Sequence, residues 1–83
     1  MPNVSLELDL HGLTVDEALY KVDQYLNDAF AAGMMSVTIV HGKGTGTLRR
    51  AVRDELSRHH LVRAFRFAEA REGGAGATVV KLT

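Results

Sequence analysis

Two stretches in which apolar and polar residues alternate each run into a glycine and then into an apolar repeat of helical period. The first, Ser5 to Leu10, sets Leu6, Leu8 and Leu10 against Ser5, Glu7 and Asp9. The second, Met35 to His41, sets Met35, Val37 and Ile39 against Ser36 and Thr38. Period two with one polar side describes a strand covered on one face only. After the first strand, Thr14 and Glu17 have the spacing of a capping box, and Leu19, Val22, Leu26, Ala29 and Phe30 fall on one helical face before Gly33 stops the helix. After the second strand and its glycines, Leu48, Ala51, Val52 and Leu56 form the stripe of a second helix. It begins near Thr47 and ends near His59-His60, which would cap its negative end.

A third strand is expected over Val62 to Ala70, with Phe65 and Phe67 in the core and base stacking as their lesser alternative, and a fourth over Thr78 to Leu82. Glu72-Gly73-Gly74-Ala75-Gly76 can only be the turn that makes them a hairpin. The order β-α-β-α-β-β predicts an α/β two-layer sandwich, a four-stranded mixed sheet with two helices on one face. Right-handed crossovers would set the first three strands side by side and parallel, with the fourth antiparallel at the edge or beside the third. The 83 residues make one domain, 1–83. No apolar stretch reaches the length of a membrane span, and Met1 to Ser5 shows no secretory signal. Cysteine is absent, which removes disulfides, thiolate zinc sites and thiol nucleophiles and fits a cytoplasmic setting.

This topology brings the C-terminal ends of the first two strands together, and with them Asp9, His11 and Gly12 beside His41 and the glycine loop Gly42-Lys43-Gly44-Thr45-Gly46. The alternating glycines leave backbone N–H groups to point at an oxyanion, and the second helix adds its positive end. The spacing is neither a Walker loop nor the dinucleotide fingerprint. The expected ligand is a phosphate, unless the glycines serve only a turn with positive φ angles.

Net charge is zero, but it is unevenly spread. Residues 1–32 carry six acids and one base, whereas 41–66 carry seven bases and two acids. Arg49, Arg50 and Arg53 therefore join Gly12, Gly42, Lys43, Gly44, Thr45 and Gly46 as the phosphate- or nucleic-acid-binding set. His11 and His41, ending their strands toward solvent, are candidates for proton transfer near neutral pH. Asp9 could orient His11, bind a divalent ion with Glu7, or hold the loop by accepting backbone N–H bonds. With so few carboxylates, Mg2+ or Mn2+ would be held weakly.

Leu8-Asp9-Leu10-His11-Gly12 and His41-Gly42-Lys43-Gly44-Thr45-Gly46 together resemble the signature of the Smr (small MutS-related) domain, L-D-x-H-G followed by H-G-x-G-x-G. Glu72-Gly73-Gly74 and Thr78 to Leu82 resemble the end of that domain in bacterial MutS-two proteins. The resemblance runs from about Ser5 to Leu82. It implies a fold like the C-terminal domain of translation initiation factor three and an endonuclease acting on DNA, RNA or both, including branched DNA or ribosomal RNA. It also implies that the chain is the C-terminal part of a longer protein whose remainder is a MutS-like ATPase, linked to suppression of recombination or ribosome rescue; separately, the isolated domain is expected to be a monomer. By the family pattern Asp9, His11, Gly12 and His41 through Gly46 carry the site. Some members keep the fold with little nuclease activity, so a binding module that does not cut is the alternative reading.

Overall fold

The computed structural model describes residues 4–44 and 46–83. The elements follow in the expected order: β1 (Glu7–Asp9), α1 (Val15–Ala31), β2 (Ser36–Val40), α2 (Thr47–Arg58), β3 (Val62–Phe67) and β4 (Ala77–Leu82). Two single 3-10 turns, Ala70–Glu72 and Gly74–Gly76, lie between β3 and β4.

Local signals set the ends of α1. Thr14 Oγ1 accepts the Glu17 N–H at 3.2 Å, and the Glu17 carboxylate accepts the Thr14 N–H at 2.9 Å. These bonds hold the Glu17 carboxyl below its ordinary pKa. At the other end Gly33 adopts φ 78°. Its N–H bonds to the Phe30 carbonyl and the Met34 N–H to the Ala29 carbonyl, both at 3.0 Å, which is a Schellman closure. The buried stripe is Ala18, Val22, Tyr25, Leu26 and Ala29. Phe30, expected on that stripe, is 46% exposed, because it is rotated by about 100° from Ala29.

The strand order is β1-β2-β4-β3, with β1 and β2 parallel and β4 antiparallel to both of its neighbours. The expectation of three adjacent parallel strands is thus corrected: β4 is inserted between β2 and β3. The reason is visible in the residues. Ala77, Thr78, Val79 and Val80 are all buried, with no alternation, as a strand covered on both faces must be. β3 instead exposes Arg63 and Arg66, the charges that suit an edge. β3 also stops at Phe67, where Ala70 had been expected to continue it, and β1 is confined to three residues. Leu6 falls outside β1 and is largely exposed rather than part of the leucine face.

One face of the sheet supplies Leu10, Val37, Ile39, Val80 and Leu82 to a core shared with α1 and α2, so both helices lie on that face. On the other face Ala68, Ala77 and Val79 form a smaller cluster with Val40. There Arg66 reaches from β3 to Glu72 in the loop at 2.9 Å. This guanidinium holds the Glu72 carboxyl down at about 2. His59 is buried rather than capping α2: its Nε2 donates to Asp23 of α1 at 2.7 Å and its Nδ1 accepts the Leu61 N–H at 3.2 Å. It joins the two helices, with His60 stacked on it at 5.0 Å.

The Tyr25 hydroxyl donates to the Ser5 carbonyl and ties the chain ahead of β1 to α1. Burial, with Glu7 nearby, pushes this phenol up to about 12. The unfolded chain would ionise near pH 10, so the contribution is complete below pH 10 and is lost as pH rises toward 12. Tyr25→Phe should cost about 1 kcal/mol at neutral pH and should abolish this alkaline loss. Urea denaturation of both proteins between pH 7 and 12 checks it.

Candidate nucleic-acid interface

The rim at the end of β1 is built by a tight turn. Leu10 is fully buried, and its N–H bonds to the Val40 carbonyl at 2.8 Å, which fixes the end of β1 against β2. The Leu13 N–H returns to the Leu10 carbonyl at 3.1 Å. Gly12, with φ 81°, sits at the third position of this turn, where positive φ is required. Asp9 Oδ1 accepts the His11 N–H at 2.8 Å. Of the roles open to Asp9, holding the loop is the one its contacts display. His11 itself is exposed, and no hydrogen bond or ion pair among the described residues engages its ring.

His41 is placed differently from expectation. It is 5% exposed, so it does not face solvent. Its Nδ1 lies 3.0 Å from the Gly42 carbonyl, and its Nε2 lies 2.9 Å from Thr78 Oγ1. A carbonyl only accepts, so Nδ1 carries the proton and, in the neutral ring, Nε2 accepts from the Thr78 hydroxyl. Both nitrogens are therefore occupied within the protein. The cause is the position of β4, whose Thr78 stands opposite Ile39 on the helix-facing side of the sheet.

The same arrangement fastens the glycine loop. The Gly76 carbonyl accepts the N–H groups of both His41 and Gly42 at 2.9 Å. A Cβ on Gly76 would stand 3.5 Å from Gly42 and Lys43, so the two loops pack closely. Gly76 and Thr78 were missed in the sequence, where Gly73 to Gly76 read only as a turn. Their signal was the uncharged run Ala77 to Val80, apolar but for Thr78, which marks a central strand beside β2.

Gly42, Gly44 and Gly46 have φ of 80°, 24° and 87°. The path of the backbone accounts for all three glycines, so their number alone does not argue for a ligand. Gly46 is the N-cap of α2 and provides no side-chain cap. Lys43 is exposed at the tip; Thr45 lies outside the described residues.

Three depressions share residues and run on from one another. Asp9, His11, Gly12, Val40, His41, Gly42, Lys43 and Gly44 line the first. His41 through Gly44 return in the second, with Gly46, Thr47, Leu48, Arg49 and the start of α1. Gly46 and Arg49 return in the third, with Arg50, Arg53, Asp54, Ser57 and Phe65. The structure thus brings together every described candidate except Glu7. Glu7 shares the face of Asp9 but lines none of the three. Phe65 packs against the core as expected, whereas Phe67 is 48% exposed, with the Arg53 guanidinium 4.4 Å from its ring centre.

This geometry belongs to a known family. A family model described as the Smr domain matches residues 8–83. The chain belongs to the Smr domain family. It is 52% identical over 80 residues to endonuclease MutS2 of Geobacillus kaustophilus and 55% identical over 80 residues to a putative endonuclease MutS2 of Bacillus subtilis. Each match covers 96% of this chain and 10% of the relative, so the Smr domain here spans a tenth of the length of those proteins. The crystal structure of the Smr domain of Thermus thermophilus MutS2 superposes with a TM-score of 0.91 at 52% identity, covering 93% of this chain and 96% of that one. YdaL, a stand-alone small MutS-related protein from Escherichia coli, matches with a TM-score of 0.88 at 31% identity, covering 93% of this chain and 63% of that one.

Thr78→Val should leave His41 Nε2 buried without a donor. The expected cost is about 1–3 kcal/mol, with faster amide exchange at His41 and Gly42, where the loop is fastened. Chemical denaturation and hydrogen exchange measure both.

Proposed function

We propose that this Smr domain cuts phosphodiester bonds in nucleic acid, DNA and RNA alike. The carrying observation is the unpartnered His11 ring on the rim of a groove that also holds Lys43 and the glycine loop. Phosphodiester hydrolysis needs a group that takes a proton from the attacking water as its oxygen bonds to phosphorus, a proton from that group or from solvent for the leaving oxygen as the old P–O bond breaks, and positive groups around the phosphoryl oxygens. His11 takes the proton, and Asp9 positions it through the backbone bond that fixes the turn. Lys43, the loop N–H groups and Arg49 hold the phosphate. His41 acts as a positioning residue, since both ring nitrogens bond within the protein. The endonuclease names of the MutS2 relatives support this reading.

A tightly caged metal does not fit these residues. Among the described residues no three carboxylate, histidine or cysteine side chains come together, and Asp9 already gives one oxygen to His11. Asp9 suits at most a hydrated Mg2+ or Mn2+ that keeps most of its waters. Such an ion would supply further positive charge at the phosphate. In the longer proteins the domain would serve a MutS-like ATPase on branched DNA or ribosomal RNA in the cytoplasm. A second reading, a module that binds without cutting, is favoured by one observation: with His41 committed to Thr78, only one histidine at the rim is free.

Nicking of supercoiled plasmid and cleavage of a structured RNA, each with and without chelator, separate the readings. His11→Ala should lower turnover by about 10²–10⁴-fold while affinity stays within a few-fold; unchanged turnover favours the binding module. Affinity for duplex DNA should fall with salt at a log–log slope of about −3 to −4.5 for a footprint of about three to five phosphates. Replacing Arg49 and Arg50 by Glu should weaken binding to all sequences alike, as fluorescence anisotropy will show.

A further inference from the structure

The groove beyond the glycine loop is lined by Arg49, Arg50 and Arg53 with Asp54, and an exposed aromatic ring, Phe67, stands beside it against Arg53. None of the four ion pairs among the described residues involves Arg49, Arg50 or Arg53, although the three stand within two turns of α2. Cations gathered this closely repel one another, and no carboxylate answers them at ion-pair distance. Phe67 ends β3 on the same side of the sheet as Phe65, yet only Phe65 is drawn into the core. Nearly half of Phe67 remains in contact with water. The Arg53 guanidinium lies 4.4 Å from its ring centre and that of Arg49 lies 5.9 Å away. The ring is thus in contact with arginines while still offering surface.

A polyanion satisfies the arginines, and a flat apolar group satisfies the ring. A nucleic-acid strand with an unpaired base carries both. Duplex nucleic acid hides its base faces in its own stack and would engage only the arginines. We propose that Phe67, with Arg53, is a stacking platform for an unpaired base, and that Arg49 and Arg50 hold the flanking phosphates. This rests on the nucleic-acid reading above and names its substrate class: single strands, or the unpaired segment at a junction or flap. Because Arg49 lines both the arginine groove and the groove at the glycine loop, a strand stacked on Phe67 continues along the surface toward His11.

The test is fluorescence anisotropy with a labelled single-stranded DNA oligonucleotide, the same backbone carrying abasic sites, and a blunt duplex, at one salt concentration. Phe67→Leu should weaken binding of the base-containing strand by about 5- to 100-fold and leave the abasic strand and the duplex within twofold. Phe67→Trp should restore or tighten binding of the base-containing strand only. Equal loss on the base-containing and abasic strands, or no loss on either, overturns the platform. Wild-type binding that ignores the bases also overturns it while leaving phosphate recognition standing. The assay measures binding alone, so a failure of the cutting reading appears separately, as unchanged turnover in the His11→Ala protein.

Discussion

The antiparallel pairing of β4 with β2 is the constraint from which the functional edge hangs. It sets Thr78 against Ile39 and Ala77 against Val40, and so places Gly76 beside the end of β2. From there its carbonyl takes the N–H groups of His41 and Gly42, and the Thr78 hydroxyl meets the His41 ring. A loop with three glycines at positive φ would lose much conformational entropy on ordering. Three hydrogen bonds from one strand end offset part of that cost at its base.

The two histidines of the paired motifs consequently have different physical situations. His11 follows a strand that ends at the sheet edge, where Asp9 and Gly12 fix the backbone and leave the ring in water. His41 follows a strand with β4 alongside, and its ring is drawn inward. Equivalent positions in sequence, each a histidine before a glycine at a strand end, become one ring left in water and one ring bonded inside the protein, because only the second meets a side chain of β4, Thr78.

Most of the fold was legible because it is local. The capping box at Thr14 and Glu17, the stop at Gly33 and the two period-two strands announce themselves in a few neighbouring residues. The convergence of Asp9, His11 and the glycine loop followed from the crossover rule alone. The strand order was not read correctly, since hairpin-linked β3 and β4 can join β2 by either member. The choice turns on burial of Ala77 to Val80 on both faces, against the charges at Arg63 and Arg66. That error hid the roles of Gly76 and Thr78. The two phenylalanines share a strand face, but only Phe65 lies over the core, and His59 reads in sequence as a helix cap because its partner Asp23 is 36 residues away.

The central claim is that proton transfer at this edge belongs to His11 while His41 holds the loop in place. Chemical rescue tests it most directly. In the plasmid-nicking assay, free imidazole should restore part of the activity lost in the His11→Ala protein, because the vacated site is open to solvent. It should restore none in the His41→Ala protein, whose fault lies in the loop. Rescue at position 41 with none at position 11 would contradict the account.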